Sequence, residues 1–451
     1  MAFADVILSE TDANIIIIDK LHKPGGHWNF AYPFVRLHQP SEYYGVSSME
    51  LSKGRKDTVG LNKGLSNLAS GVEVCAYFDD VMQHRFLASG RVMYYPMCEY
   101  KGNGNFNSVI TGKRYSVKVK KKTVDANFIK TSVPSVHTPN FTIAPEVQFI
   151  TVNELPQIRK KAEGYVVIGG GKTGIDACLW LLEQDVSPED IRWIVPRDAW
   201  LLDRRTLQPA GEFTEYFLKD RAAQFEALVQ AQSIPDLFKR LETAGCLLRL
   251  DKTIEPKMYR CATVSLPELE QLKRIQNIIR MGRVRRIEKD EIILDKGSID
   301  TTPNHVHIDC SADGLRVSGP RSVFSDNLIT LQTVRTCQPT FSASFIAHVE
   351  AAYTDEKIKN ELCSVIPIPC HDVDWIRMLA ALMKNNYVWS QDASLMKWLF
   401  GNRLEGGFLK TLAGSSDMDS DSLKILEGIR NNIKPAMMKL QVFMTELKQL
   451  S

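Results

Sequence analysis

The chain has 451 residues, more than one hydrophobic core normally accommodates, so two or three domains are expected. With 44% hydrophobic and 24% charged residues, a net charge of +3 and no low-complexity tract, it reads as an ordinary soluble globular protein with no case for a nucleic-acid partner. No apolar run approaches the roughly 18 residues of a spanning helix. No basic leader opens the chain, and nine cysteines without a C-x-x-C pair predict reduced thiols in the cytoplasm, not a disulfide framework or a redox dithiol.

From the N-terminus, Ala2 to Ser9 has helical apolar spacing, Ser9-Glu10-Thr11-Asp12 is a polar exit, and Asn14 to Ile18 is an apolar strand tipped by Asp19. In a dinucleotide-binding unit the acid at this strand end follows a glycine turn by roughly 20 residues. Met1 lies 18 residues before Asp19, so the segment reads as an N-terminally truncated unit lacking its first strand and glycine turn. Residues 71–128 predict a small antiparallel meander of strands (VEVCAYF, GRVMYYP, NSVITG, RYSVKVK) around Gly102-Asn103-Gly104-Asn105. Lys118 to Lys122 is a solvated strand face, and residues 130–165 fit a linker.

The segment YVVIGGGKTGIDACLW, Tyr165 to Trp180, is a complete fingerprint. Four apolar residues suit a central parallel strand; Gly169 permits the turn, Gly171 lets a pyrophosphate approach the backbone, and Gly174 lets the helix from Thr173 lie close to the strand. Phosphates then meet free amides at the helix N-terminus, with Lys172 either adding charge there or solvated. The next strand, Ile191 to Val195, is followed by Pro196-Arg197 where an acid would grip a ribose hydroxyl, so Arg197 favours a 2′-phosphate and hence NADPH.

Residues 211–247 and 265–281 read as helices, the second opened by the S-x-x-E box Ser265-Leu266-Pro267-Glu268. Gly282 to Leu294 is a hairpin turning at Lys289-Asp290, and HVHIDCSADGL reads as a strand returning to the first unit. A helix starts at Gln338-Pro339-Thr340 and runs to about Ala352. Residues 356–451 are mostly helical; His371, Asp372 and Asp374 read as solvent-facing rather than metal-binding. Ser422 to Leu450 is amphipathic, interrupted at Pro435, and suits packing on the body or in a homo-oligomer.

Asp19, Gly25-Gly26 and Trp28 follow the acid-x5-G-G-x-W pattern, and with GGGKTG about 150 residues later this resembles the flavin-containing monooxygenase and Baeyer–Villiger group of NAD(P)/FAD-dependent oxidoreductases. PGGHW, FVRLHQPS, WIVPRDAWLLDR and CQPTFSASFIAHVEA are similar to a less characterised family of such enzymes, over most of residues 1–355. The resemblance implies an α/β fold with two Rossmann-like dinucleotide-binding domains and a C-terminal helical region. The expected limits are 1–160 for the first part of the FAD domain, 161–300 for the inserted NAD(P) domain, 301–355 for the FAD return segment and 356–451 for the helices. It implies FAD at Asp19, Gly25, Gly26 and Trp28, and NADPH at Gly169, Gly171, Lys172, Thr173, Gly174 and Arg197, with a small molecule as substrate. Arg36, His38 and Gln39, a cation, a titratable donor and an amide near the G-G-x-W turn, are the catalytic candidates. The F-x-G-x-x-x-H signature is absent between the two units, which weighs against monooxygenation but not against hydride transfer to flavin. The alternative is a truncated or degenerate flavoprotein serving as a non-catalytic nucleotide-binding or interaction module.

Overall fold

The computed structural model describes residues 1–312, 314–315, 319–414 and 418–449. Helix α1 (Ala2–Glu10) buries Ala4 and Leu8 with strand β1 (Ile15–Ile18) on one side, and Val6 and Ile7 on the other. Val72 to Phe78, rich in β-formers and expected as a strand, is instead part of helix α2 (Gly71–Asp80), continued as a π-helix over Val81–Phe86. The cause is local. Ser70 Oγ accepts from the Glu73 amide at 3.3 Å and Glu73 Oε2 accepts from the Ser70 amide at 2.8 Å, a capping box that overrides β propensity once Val74, Tyr77 and Phe78 are buried. Strand β2 (Val92–Tyr95) leaves the expected meander and pairs in parallel with β1, Ile15 opposite Val92. The meander is β3 (Cys98–Gly102), β4 (Asn105–Ser108) and β5 (Arg114–Ser116).

Strand β6 (Thr123–Asp125) precedes residues expected as a linker, which instead carry β7 (Thr142–Ile143) and β8 (Phe149–Thr151). A strand–turn–helix unit follows: β9 (Gly164–Ile168), α3 (Lys172–Glu183) and β10 (Ile191–Ile194). Then come β11 (Ala199–Asp203), α4 (Thr214–Gln230), α5 (Ile234–Thr243), β12 (Met258–Val264), α6 (Leu266–Leu272) and β13 (Ile278–Ile279). The helix expected over 265–281 therefore stops early, although its capping box forms. Strands β14 (Val284–Ile287), β15 (Glu291–Leu294) and β16 (Gly297–Asp300) make a small antiparallel set with β7 beside β14. Strand β17 (His305–Asp309) does not return to the first unit: it lies between β9 and β8 in an all-parallel sheet of order β13-β10-β9-β17-β8. All five of its residues are buried, which a doubly covered parallel strand requires.

Strands β18 (Phe324–Ser325) and β19 (Leu328–Thr330) complete a small sheet with β6, and helix α7 (Pro339–Ala352) packs against α1. Beyond it lie α8 (Glu356–Leu362), α9 (Asp374–Ser390), α10 (Ala393–Gly401), α11 (Phe408–Ala413) and α12 (Ser420–Gln449). Helix α12 is not interrupted at Pro435. It buries Ile429, Ala436, Leu440 and Phe443 in one core with Phe217 and Phe225 of α4, which outweighs the roughly 3 kcal/mol a proline costs inside a helix. The architecture is α/β, with Rossmann-like parallel units and a C-terminal helical region. Among the described residues no helix is long and apolar enough to cross a membrane.

One expectation about the cysteines is overturned. Cys261 on β12 and Cys337 just before α7 are joined in a disulfide, while the other seven are free thiols. Local spacing could not show this pair, because its members lie 76 residues apart.

Candidate functional site

The turn from β9 into α3 is built on glycines with different duties. Gly169 has φ +132°, and a Cβ there would strike the Cys310 carbonyl of β17's exit. A Cβ on Gly174 would run into the Gly169 carbonyl, which already accepts from Trp193 Nε1 at 2.8 Å. Gly171 differs: its backbone is ordinary extended chain, and nothing lies within 4 Å of a Cβ built on it. It caps α3 without a side-chain hydrogen bond, leaving the first-turn amides of Lys172, Thr173 and Gly174 without intrahelical acceptors. These amides and the helix dipole favour an anion at the open side of Gly171.

Arg197 follows β10 at the edge of this turn, its carbonyl 3.6 Å from where a Gly170 Cβ would stand. Its Nη2 lies 3.7 Å from Cys370 Sγ. Lys172 does not extend into solvent. It ion-pairs with Asp176 one helical turn on, and Asp176 Oδ2 also accepts from Tyr32 OH at 2.5 Å. Burial, then the Asp176 charge, pushes the Tyr32 phenol well above its ordinary pKa, so it stays a proton donor.

The three catalytic candidates have different fates. Arg36 is exposed and reaches Asp57 at 3.4 Å. His38 is half-buried; loss of solvent around its ring, then the Lys172 and Arg204 charges, holds its pKa well below the ordinary imidazole value. It is therefore neutral at pH 7. The His38 carbonyl accepts from Thr263 Oγ1 at 2.7 Å and Arg204 Nε at 3.2 Å. Gln39 Nε2 donates to the Cys337 carbonyl at 3.5 Å. The segment 38–39 thus runs between β12 and the start of α7. Near it, the side-chain oxygens Thr336 Oγ1 and Gln338 Oε1 are buried without a hydrogen-bond partner, and α7 has no side-chain cap.

The other expected group sits at the end of β1. The Asp19 Oδ1 accepts from the Leu21 amide at 3.0 Å, and burial raises its carboxyl pKa. Gly25 and Gly26 both adopt left-handed backbone, at φ +115° and +55°, which explains glycine at both positions. Trp28 Nε1 donates to Tyr44 OH at 2.7 Å, and the indole packs against both the core of the first unit and that of the parallel sheet. Residues 28–39 join the first unit to the parallel sheet: Trp28, Tyr32 and Val35 pack in the core of that sheet, and Tyr32 reaches Asp176 of α3.

Several residues at this junction carry no local sequence signal. Arg204, 5% exposed at its side chain, donates to His38 O, Asn62 Oδ1 (3.1 Å), Glu268 Oε2 (2.8 Å) and Thr263 O (3.1 Å). Tyr32 and Asp176 meet across 144 residues. Only Glu268 could be anticipated, as the last residue of its capping box. Among the described residues no group of three or more His, Cys, Asp or Glu side chains could hold a metal ion.

Fold and turn together define an α/β protein built on Rossmann-like units, with a glycine turn at the start of α3. The chain belongs to one family with uncharacterized proteins of Mycobacterium tuberculosis and Mycobacterium bovis. It is 50% identical to each over 404 residues, which cover 90% of this chain and 75% of each relative. No protein-family model matches it. Among solved structures, it is similar to a flavin-containing monooxygenase from Stenotrophomonas maltophilia at a TM-score of 0.40 and 11% identity, covering 75% of this chain and 96% of that one. It is also similar to cyclohexanone monooxygenase from Rhodococcus sp. Phi1, bound to NADP+, at a TM-score of 0.45 and 11% identity, covering 77% and 81%.

Proposed function

We propose that this chain is a flavin- and NADPH-dependent oxidoreductase acting on a small molecule. The observation that carries the reading is the turn at 169–174: an open Gly171 faces unpaired helix amides while Gly169 and Gly174 are packed shut against backbone. Such a turn receives a pyrophosphate, and Arg197 beside it supplies a guanidinium to a 2′-phosphate. NADPH, when bound, supplies a hydride that flavin accepts and passes to O2 or an organic acceptor.

The residues present fit the two groups unequally. For the nicotinamide nucleotide, the first-turn amides of α3, the open side of Gly171 and the Arg197 side chain would serve. For flavin, Asp19 would take the adenosine ribose, and the left-handed Gly25-Gly26 turn and Trp28 would line the ring. The uncapped start of α7, with unpartnered Thr336 Oγ1 and Gln338 Oε1, offers amides and oxygens to a ring edge. No second glycine-rich turn precedes Asp19 within these 451 residues.

What the chain itself does at the junction follows from its geometry. Asp176 holds Lys172 beside the phosphate turn, so the ammonium is placed before a ligand arrives. Neutral His38 can donate or accept one hydrogen bond but carries no charge to the junction at pH 7. Arg204 fixes the His38 carbonyl and keeps the 38–39 backbone from competing for a ligand. Oxygen insertion is a narrower version of the same activity.

The second reading, a non-catalytic nucleotide-binding module, is favoured by one feature: β1 has β2 on one edge and no strand on the other among the described residues. Visible absorbance of the purified protein, before and after anaerobic NADPH, separates the two. A flavin band that bleaches supports the enzyme. A colourless protein that stays so with added FAD, yet binds NADPH, supports the module.

A further inference from the structure

The disulfide lies at an irregular point of β12. Trp200 of β11 pairs with Tyr259 and Leu202 with Thr263, so three residues of β12 stand opposite one of β11, and Cys261 is the middle one. Cys261 has φ +53°, and its partner Cys337, immediately before α7, has φ +51°. Left-handed backbone is disfavoured for any residue with a side chain, so two such residues joined to each other hold a conformation that neither segment would choose alone. Cys261 is buried, its sulfur 4.0 Å from Met378 Sδ, whereas Cys337 is half-buried and the more exposed of the two.

The bond also has neighbours with a function to lose. Gln39 holds the Cys337 carbonyl, and Thr263, two residues beyond Cys261, holds the His38 carbonyl at 2.7 Å. The segment 38–39 is thus pinned on one side by each cysteine's own strand or turn. Seven of the nine cysteines remain thiols, so this is a single cystine in an otherwise reduced chain, not part of a disulfide scaffold. Where thiols predominate, an isolated disulfide is typically transient and redox-sensing.

We propose that Cys261 and Cys337 are a redox-responsive clasp: oxidised, they lock residues 38–39 between β12 and α7, and reduced, they release them. An external dithiol attacks the Cys337 sulfur; the S–S bond breaks, Cys261 leaves as thiolate and takes a proton, and the reagent's second thiol displaces Cys337. The pair gains two electrons and two protons, and the reagent becomes a disulfide. The clasp needs no bound nucleotide, so its behaviour does not depend on flavin or NADPH.

The test uses the full chain, air-oxidised or treated with dithiothreitol, with thiols counted after denaturation in an alkylating reagent and backbone hydrogen exchange followed in the native state. Seven alkylated thiols are expected before reduction and nine after, with reoxidation restoring seven. Peptides covering 36–42 and 335–342 should exchange about tenfold faster when reduced, while the β9–α3 segment stays unchanged. Cys337→Ser should exchange like reduced wild type in both conditions. Nine thiols in the air-oxidised protein would overturn the proposal, as would a bond that resists dithiothreitol in the folded state. Unchanged exchange at 38–39 on reduction of the wild-type chain would do the same, and needs no variant.

Discussion

Replacing Gly171 by valine separates ligand binding from folding more cleanly than any other change in the turn. The residue sits at φ −87°, ψ −173°, which valine adopts freely, and a Cβ meets nothing within 4 Å. Folding should therefore be untouched, or gain a few tenths of a kcal/mol from a stiffer unfolded chain. The two added methyls, however, enter the space through which a phosphate would reach the amides of Lys172, Thr173 and Gly174. A hydrogen bond to a charged group contributes about 1.5–3 kcal/mol, so losing two costs about 3–6 kcal/mol, or roughly 10²- to 10⁴-fold in Kd. Gly174→Ala is the matched control: its methyl strikes the Gly169 carbonyl and comes within 3.2 Å of Trp193 Nε1, neither of which can move far. Overpacking of this kind costs about 1–3 kcal/mol, a fall of several degrees in Tm. NADPH titration by calorimetry beside thermal melts reads both quantities. Gly171→Val binding NADPH within about threefold of wild type would refute the phosphate-cradle argument. A Tm drop equal to that of Gly174→Ala would refute the open-space argument.

Three further outcomes are expected. Arg197→Ala should weaken NADPH by roughly 10- to 100-fold and leave NADH nearly unchanged, since only the former carries a 2′-phosphate; equal losses by titration would remove that role. His307 of β17 is fully buried, with Nε2 2.8 Å from Thr301 Oγ1 and Nδ1 3.2 Å from Gln148 O, and burial lowers its pKa to about 4. Its folded pKa lies below the unfolded value of about 6.5, so its contribution is complete above that pH and is lost as pH falls toward 4, at most about 3 kcal/mol. His307→Gln should flatten denaturant-measured stability between pH 6.5 and 4, and an unchanged slope would count against it. Arg335 and Glu405 pair at 2.7 Å with side chains 8% and 1% exposed, and Arg335 also lies over the Phe341 ring at 4.7 Å. Glu405→Gln leaves that guanidinium buried and unpaired, so chemical denaturation should show a loss of about 3–5 kcal/mol.

Local patterns were legible wherever one segment contained its own cause. The run from Tyr165 to Trp180 carries strand, turn and helix in adjacent residues, and Ile15–Ile18 and Pro339–Ala352 are equally self-contained. Valine, tyrosine and phenylalanine misdirected the reading of 72–78, although Ser70 and Glu73 spell the capping box that decides the matter. Pro435 looks like a break in sequence because the α4 surface that absorbs its cost is not visible there. Sheet membership is not local either: HVHID describes a buried strand, but nothing in it says that β8 and β9 are its neighbours. Of the candidate site, the glycines and Arg197 can be found by motif. Tyr32–Asp176, Arg204 and the cysteine pair exist only once the chain is folded.

The guanidinium of Arg204 has a mechanical consequence. It is sewn into backbone and side chains of both the 38–62 region and the β12–α6 region, with only 5% of its side chain exposed. Arg204 follows β11, which pairs with β12, so a swing of the first unit against that side would have to break its two bonds to the His38 carbonyl and Asn62 Oδ1, while those to Thr263 and Glu268 would stay intact. Those two bonds to a buried cation oppose such a swing, so the two regions are expected to move as one. Under the activity proposed above, turnover should stay flat as glycerol or sucrose thickens the medium, where an enzyme that breathes between open and closed domains would slow.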